Sequence, residues 1–173
     1  MRGMRGIGRW GGRGFAALLL LLLGGCGTAP ERPARVETRI QPPAPGHPVV
    51  QTARSLLGIP YRWGGESPDQ GFDCSGLVLY AYSRSGVRLP RTAREQYRFL
   101  DPVPPTRVLP GDLLFFRIPK NRGLHVGIYV GQDLFIHAPS TGKRVSYASL
   151  SNPYWRGSFI GGGRVSETLS RSS

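Results

Sequence analysis

The sequence has 173 residues, 39% of them hydrophobic, and its 23 Lys+Arg against 10 Asp+Glu give a net charge of +13. A surface this basic attracts polyanions, so the charge sets the sign of a partner and nothing finer. The chain is also not one uniform block. It has no internal repeat, and no second domain is long enough to recognise a substrate separately.

Four arginines (Arg2, Arg5, Arg9 and Arg13) precede a continuous apolar run from Phe15 to Leu23, followed by Gly24, Gly25 and Cys26. A basic start, a short apolar core and small residues form a secretory signal over residues 1–25. The run is too short for a permanent span, which needs ~20 apolar residues. Leu23-Gly24-Gly25-Cys26 resembles the bacterial lipobox, which implies cleavage before Cys26 and acylation of its thiol; an ordinary secretory signal with an incidental cysteine is the alternative. One acyl chain anchors only marginally, whereas lipoproteins of this kind carry several. Gly27 stands where an Asp would resemble an inner-membrane retention signal, so an outer-membrane anchor facing the periplasm is expected. Without the four signal arginines, 19 basic groups against 10 acidic ones leave +9. An exported chain makes nucleic acid a poor partner. Wall polymer carboxylates and acidic lipid headgroups are the polyanions within reach.

Residues 26–48 are rich in Pro and Arg and lack either periodicity, which reads as an extended tether. His47 falls in this stretch and is given no role. The folded part is expected over residues 49–165, with a disordered tail at 166–173. Val49, Val50, Ala53, Leu56 and Leu57 recur at helical spacing, and Gly58 with Pro60 ends that helix. A glycine-rich loop from Trp63 to Gly71 leads to Asp73, and a second helix is predicted over Cys74–Ser85 with Gly86 as terminator. Leu89 to Thr92 opens a short third helix. After Pro110-Gly111-Asp112 the pattern becomes strand-like: Leu113–Phe116, Leu124–Val130, Leu134–Ala138 and Ser158–Val165, with Gly131-Gln132-Asp133 as a hairpin link. Helices first and an antiparallel sheet second define an α+β fold.

Cys74 is the one thiol left if Cys26 is acylated, and an unpaired cysteine in an exported chain calls for a functional reading, with simple packing as the alternative. Asp73 is a favourable N-cap. Leu77, Val78 and Ala81 share the face of Cys74, which must turn into the core. In the first turn, the helix dipole and free backbone N–H groups are expected to favour the thiolate and to hold an oxyanion. His125 shares a strand face with Gly127 and Tyr129, and Gly127 is expected to leave room for an approaching helix end. His137 stands on the next strand, so a thiol, an imidazole base and an orienting imidazole can assemble. Two alternatives stay open at this point: histidines merely bonded to backbone, and a zinc site from Cys74, His125 and His137, which lacks close-spaced ligand pairs.

The blocks Tyr61-Arg62-Trp63-Gly64-Gly65, Gly71-Phe72-Asp73-Cys74-Ser75-Gly76-Leu77-Val78, Leu89-Pro90-Arg91-Thr92 with Gln96, Leu109-Pro110-Gly111-Asp112-Leu113, His125-Val126-Gly127-Ile128-Tyr129 and Ile136-His137-Ala138 follow one another in order. Together they resemble the NlpC/P60 family of cell-wall cysteine peptidases. The resemblance implies a papain-like fold, Cys74 as nucleophile, His125 as general base, His137 as orienting residue, and Tyr61 as a hydroxyl facing the thiol. It implies peptidoglycan as substrate, cut in the stem between D-glutamate and diaminopimelate or at the D-alanyl-diaminopimelate crosslink, with no cofactor and no metal. Asp73, Ser75 and Arg62 are candidates for oxyanion or cleft support. Asp73 is alternatively only a cap, paired with an arginine such as Arg62, and Ser75 only a first-turn residue. Arg62 and Arg91 are candidates to meet stem carboxylates or to be solvated surface. Trp63, Phe72 and Tyr82 are expected in core or cleft wall, and Asp112 in a structural role. The competing functions are a lipoprotein that binds wall without cutting it, and a thiol-dependent amidase or acyltransferase. The tether suits control by an unidentified regulatory protein, which nothing in the sequence specifies.

Overall fold

The computed structural model describes residues 47–118 and 123–166. The expected signal peptide, the expected acylation site at Cys26, the expected tether up to residue 46 and the chain from residue 167 lie outside the described residues. Among the described residues, no helix is long and apolar enough to cross a membrane.

The first helix, α1 (Pro48–Ser55), buries Val49, Val50 and Ala53 and has Pro at its first position. A turn then ends at Gly58, whose φ of 84° suits glycine. Two short strands, β1 (Glu66–Ser67) and β2 (Gly71–Phe72), fold the glycine-rich loop into a small hairpin. Next comes α2 (Cys74–Ser83), two residues shorter than expected, with Gly86 in the left-handed region at φ 79° just beyond it. The third helix, α3 (Ala93–Phe99), starts with a complete capping box between Thr92 and Glu95.

The rest is strand. The six strands β3 (Asp101–Val103), β4 (Leu113–Arg117), β5 (Leu124–Gly131), β6 (Leu134–His137), β7 (Ser146–Ser149) and β8 (Phe159–Arg164) form one antiparallel sheet in the order β3-β8-β4-β5-β6-β7. A short helix, α4 (Pro153–Ser158), precedes β8. The β5–β6 hairpin turns on Gln132 and Asp133, with φ of 53° and 58° and Gly131 paired to Leu134. Two central residues at positive φ match the twist of the flanking strands.

The two faces of this sheet carry different clusters. Val126, Ile128 and Val130 of β5 pack in the main core with Leu77, Val78 and Ala81 of α2 and with α1. On the other face Leu114, Phe116, Tyr129 and Phe135 form a second cluster against Trp155 of α4. Alternation along β5 is thus as expected, and the fold is the papain-like α+β arrangement of helices on an antiparallel sheet.

Two glycines fix close approaches. A Cβ on Gly127 would sit 2.6 Å from the Phe135 ring, so the space beside His125 serves a core aromatic and not a helix end. A Cβ on Gly76 would lie 2.1 Å from the Gly65 carbonyl oxygen, so the first turn of α2 rests directly on the glycine-rich loop. Gly76→Ala separates two opposing effects. Alanine favours helix by ~1 kcal/mol, but overpacking against backbone costs about 1–3 kcal/mol. We expect the substitution to lower the thermal midpoint, and an unchanged or raised midpoint would refute the close contact.

Candidate active site

Asp73 builds the start of α2. Its Oδ1 accepts from the Gly76 backbone N–H at 2.7 Å and from Ser75 Oγ at 3.1 Å, and its Oδ2 accepts from the Gly64 N–H at 3.1 Å. Arg91 then closes over it with two bonds, Nη1 to Oδ1 at 3.1 Å and Nη2 to Oδ2 at 2.8 Å. The same guanidinium reaches Ser75 Oγ at 3.1 Å, and its Nε pairs with Glu66 at 3.0 Å. Burial pushes the Asp73 carboxyl up, but the Arg91 bonds and charge and the Gly76 and Ser75 bonds leave it below its ordinary value. One carboxylate therefore ties the glycine-rich loop, the helix start and the Leu89–Thr92 segment together.

The arginine partner of Asp73 is Arg91, while Arg62 is exposed. Arg91 is also committed inside the molecule and is not a free surface cation. Ser75 is 6% exposed and held by Asp73 and Arg91, which makes it a first-turn residue and not a cleft wall. Gln96, fully buried on α3, donates to the carbonyls of Ser75 at 3.1 Å and Pro90 at 2.9 Å, fastening α3 to the same helix start.

Cys74 is half-buried at the first position of α2. Its thiol is raised above the ordinary value: burial is the largest influence, and the nearby Asp73 charge adds to it. Backbone hydrogen bonds from Val126, Ser75 and Cys74 itself pull the other way without prevailing. The helix start does favour the thiolate, as the sequence suggested, but desolvation outweighs it.

His125 and His137 meet across the hairpin, with Nε2 of His125 2.8 Å from Nδ1 of His137. Both are buried, at 7% and 4% exposed. Burial lowers His125 to about 4. Burial, then His125 and Lys143, lower His137 to about 3. Each ring is therefore neutral at ordinary pH. Because His125 uses Nε2 on His137, its Nδ1 is the nitrogen left for other work. Among the described residues no group of three or more His, Cys, Asp or Glu side chains is placed to hold a metal ion.

Spacing in the sequence does not mark Trp155 as a site residue. Its indole stacks on His125 with centroids 5.4 Å apart and planes at 29°, and meets His137 edge-on at 4.8 Å. It thus covers the histidine pair from the α4 side. The pointer in the sequence is Asn152-Pro153, an N-cap followed by a first-turn proline, and Asn152 Oδ1 does accept from Tyr154 N–H at 2.9 Å. Lys143 is a second residue that spacing did not reveal. It lies at the cleft, and its charge helps keep His137 neutral.

Tyr61, Cys74, His125, Lys143 and Trp155 all line one cleft of about 630 Å³. Among the described residues no direct hydrogen bond joins Cys74 to His125; they face the same space. Burial, followed by the Cys74 sulfur and the Asp73 carboxylate, raises the Tyr61 hydroxyl, so it remains a donor. Trp63, 86% exposed, forms the rim, whereas Phe72 and Tyr82 are core. Asp112 is structural: 3% exposed, it accepts from the Leu109 N–H at 2.7 Å and pairs with Arg164 at 2.7 Å. His47 lies elsewhere, packed on Gly111.

Comparison with known proteins places this arrangement. Residues 58–164 match the NlpC/P60 family. Murein DD-endopeptidase MepH of Escherichia coli is 49% identical over 114 residues, covering 63% of this chain and 42% of that protein. Gamma-DL-glutamyl hydrolase of Bacillus subtilis is 41% identical over 116 residues, covering 66% of this chain and 28% of that protein. The chain thus spans less than half the length of these curated relatives. Among solved structures, an NLP/P60-family protein similar to lipoprotein from Staphylococcus aureus superposes with a TM-score of 0.63 at 36% identity, over 73% of this chain and 44% of that one. With the matched segment spanning most of the folded part and every block of the site in order, the chain belongs to the NlpC/P60 family.

Proposed function

We propose that this chain is a cysteine endopeptidase of the bacterial cell envelope that hydrolyses peptide bonds in peptidoglycan stems or crosslinks. Cys74 is the nucleophile, His125 the general base, His137 the residue that orients it, and Tyr61 an oxyanion donor. The observation that carries this reading is the thiol at the start of α2 and His125, itself bonded to His137, opening on one cleft with Tyr61. Acylation of Cys26 would hold the domain at the outer membrane, with the tether giving it reach toward the wall.

In the reaction, His125 Nδ1 takes the thiol proton while the sulfur attacks a stem-peptide carbonyl. The Nε2–H of His125 donates to His137 Nδ1, and that bond strengthens as the ring becomes imidazolium. The backbone N–H of Cys74 and the Tyr61 hydroxyl hold the oxyanion. His125 returns its proton to the leaving amine, and water hydrolyses the thioester with His125 again as base. Thiol and imidazole both start neutral, so proton transfer accompanies attack.

The likeness to a protein described as a murein DD-endopeptidase favours the D-alanyl-diaminopimelate crosslink, and the likeness to a gamma-DL-glutamyl hydrolase supports the D-glutamyl-diaminopimelate bond as the second reading. Mass analysis of muropeptides released from whole sacculi separates the two, because the cuts leave different fragments. Cys74→Ala and His125→Ala are each expected to reduce release by roughly 10⁴-fold or more. Release by Cys74→Ala at the rate of the unsubstituted chain would end the proposal.

The pH profile tests the base. A His125 lowered to about 4 accepts protons at all higher pH, so kcat/KM should rise through about pH 4 and be level by pH 6. An acid limb near 6.5 would contradict the buried base. Trp155→Ala exposes the pair, and His125 should move up toward its ordinary ~6.5. The acid limb should follow it, with kcat falling by roughly 10–100-fold, KM little altered, and Trp155→Phe restoring most of the loss. A limb that stays near 4 in Trp155→Ala would show that the indole does not control the ring.

A further inference from the structure

Beside the catalytic cleft lies a second recess of about 500 Å³, between α3 and the ends of β4 and β5. Three arginines line it, Arg94, Arg98 and Arg117, over an apolar floor that includes Tyr97, Leu124 and Ile160. We propose that this recess is a carboxylate subsite, holding an acidic group of a wall peptide while the scissile carbonyl sits at Cys74. The proposal deepens the peptidase reading and rests on it.

The arginines here differ from those that hold the fold together. Arg91 and Arg164 both have carboxylate partners within 3.0 Å. The side chains of Arg94 and Arg117 carry no hydrogen bond or ion pair among the described residues. Arg94 and Arg98 stand four residues apart on α3, a like-charge spacing that disfavours a helix unless an anion lies between them. Glu95 feels the charge of Arg98, but its carboxylate is spent on the Thr92 backbone N–H at 3.1 Å and hydroxyl at 2.7 Å. No acidic side chain lines the recess among the described residues. Three arginines therefore line a space to which, among the described residues, no carboxylate contributes.

Its position ties it to the reaction. Arg117 pairs across the ladder with Leu124, and the next rung pairs Phe116 with His125. Ile118, Gly123 and Leu124 line both this recess and the cleft that holds Cys74. A peptide lying in the cleft can thus place a neighbouring carboxylate among the arginines. The guanidinium fork matches a planar carboxylate by two parallel hydrogen bonds, and the apolar floor suits the methylene stem that carries it. The site is anchored as well: Gln96 ties α3 to α2, and the Tyr97 ring meets Phe115 edge-on at 5.1 Å.

The test uses the full chain carrying Cys74→Ala, so that binding is read without turnover. Two stem peptides are titrated by calorimetry, one with free carboxylates and one with the same groups as carboxamides. We expect amidation to weaken binding about tenfold, equivalent to ~1.4 kcal/mol. Adding Arg94→Gln and Arg117→Gln should cost the carboxylate peptide a similar factor and the carboxamide peptide nothing. Arg94→Lys with Arg117→Lys, which keeps the charge and removes the fork, should fall between. Equal binding of the two peptides by Cys74→Ala overturns the subsite, and so does an equal loss for both peptides in the double glutamine variant. Turnover of the same peptides by the unsubstituted chain separates the two readings: failure to cleave either one removes the peptidase assignment and leaves the binding comparison standing.

Discussion

The Asp73 carboxylate sits where three pieces of chain must agree. It caps α2 through the Gly76 N–H, bonds the glycine-rich loop through the Gly64 N–H, and receives both ends of the Arg91 guanidinium. Together these partners fix the residue that immediately precedes Cys74. A two-bond arginine pair constrains direction as well as distance, so the first turn of α2 is fixed in orientation and not merely in place. The thiol inherits that orientation. Gly76 and Gly65 supply the complementary condition, since only a bare Cα lets helix and loop come so close.

The imidazole side of the cleft is fixed by different means. No carboxylate touches His125 or His137 among the described residues; the rings are held by one mutual hydrogen bond and by aromatic packing from Trp155, Phe116 and Phe135. A buried acid in the place of His137 would raise His125 and draw it toward a permanent ion pair. A neutral histidine orients the ring and leaves its affinity for protons low, so burial dominates both rings. The same logic affects stability. Because both rings are lowered in the folded state, the unfolded chain binds more protons below about 6.5, and the stability they contribute is lost as pH falls from there toward about 4 and 3.

Much of this was legible in the sequence, for identifiable reasons. The strands from Leu113, Leu124 and Leu134 announce themselves by apolar content and by a hairpin link that needs positive φ, and Asp73 before an apolar helical face marks the start of α2. The elements that pattern does not reveal are short or poorly periodic. The edge strand β3 is three residues with Pro102 at its middle, and β7 reads Ser-Tyr-Ala-Ser with every residue half-buried. The helix α4 has six residues, one of them Gly157, and so offers no periodicity to detect. Trp155 is hidden with it. Partner choice was equally beyond spacing: Asp73 takes Arg91, eighteen positions away, and leaves the nearer Arg62 in solvent. The role of Gly127 inverted for a related reason, since alternation says which face it occupies but not that Phe135 fills the space.

The most consequential difference between sequence and structure concerns the charge on the sulfur. A thiol in a first helical turn reads as a thiolate, yet in the fold it is desolvated enough to remain protonated, opposite a histidine that is equally reluctant to be charged. Two neutral partners separated by a cleft are a stable arrangement, and burial destabilises the charged pair relative to it. In the proposed reaction, charge separation becomes favourable only when a carbonyl oxygen is present to accept it and donors such as Tyr61 and the Cys74 N–H are there to stabilise the result. The consequence reaches beyond the reaction step. A thiolate is also what oxidants attack, and a protonated, half-buried sulfur resists them. A low resting charge therefore makes reactivity at Cys74 depend on what occupies the cleft.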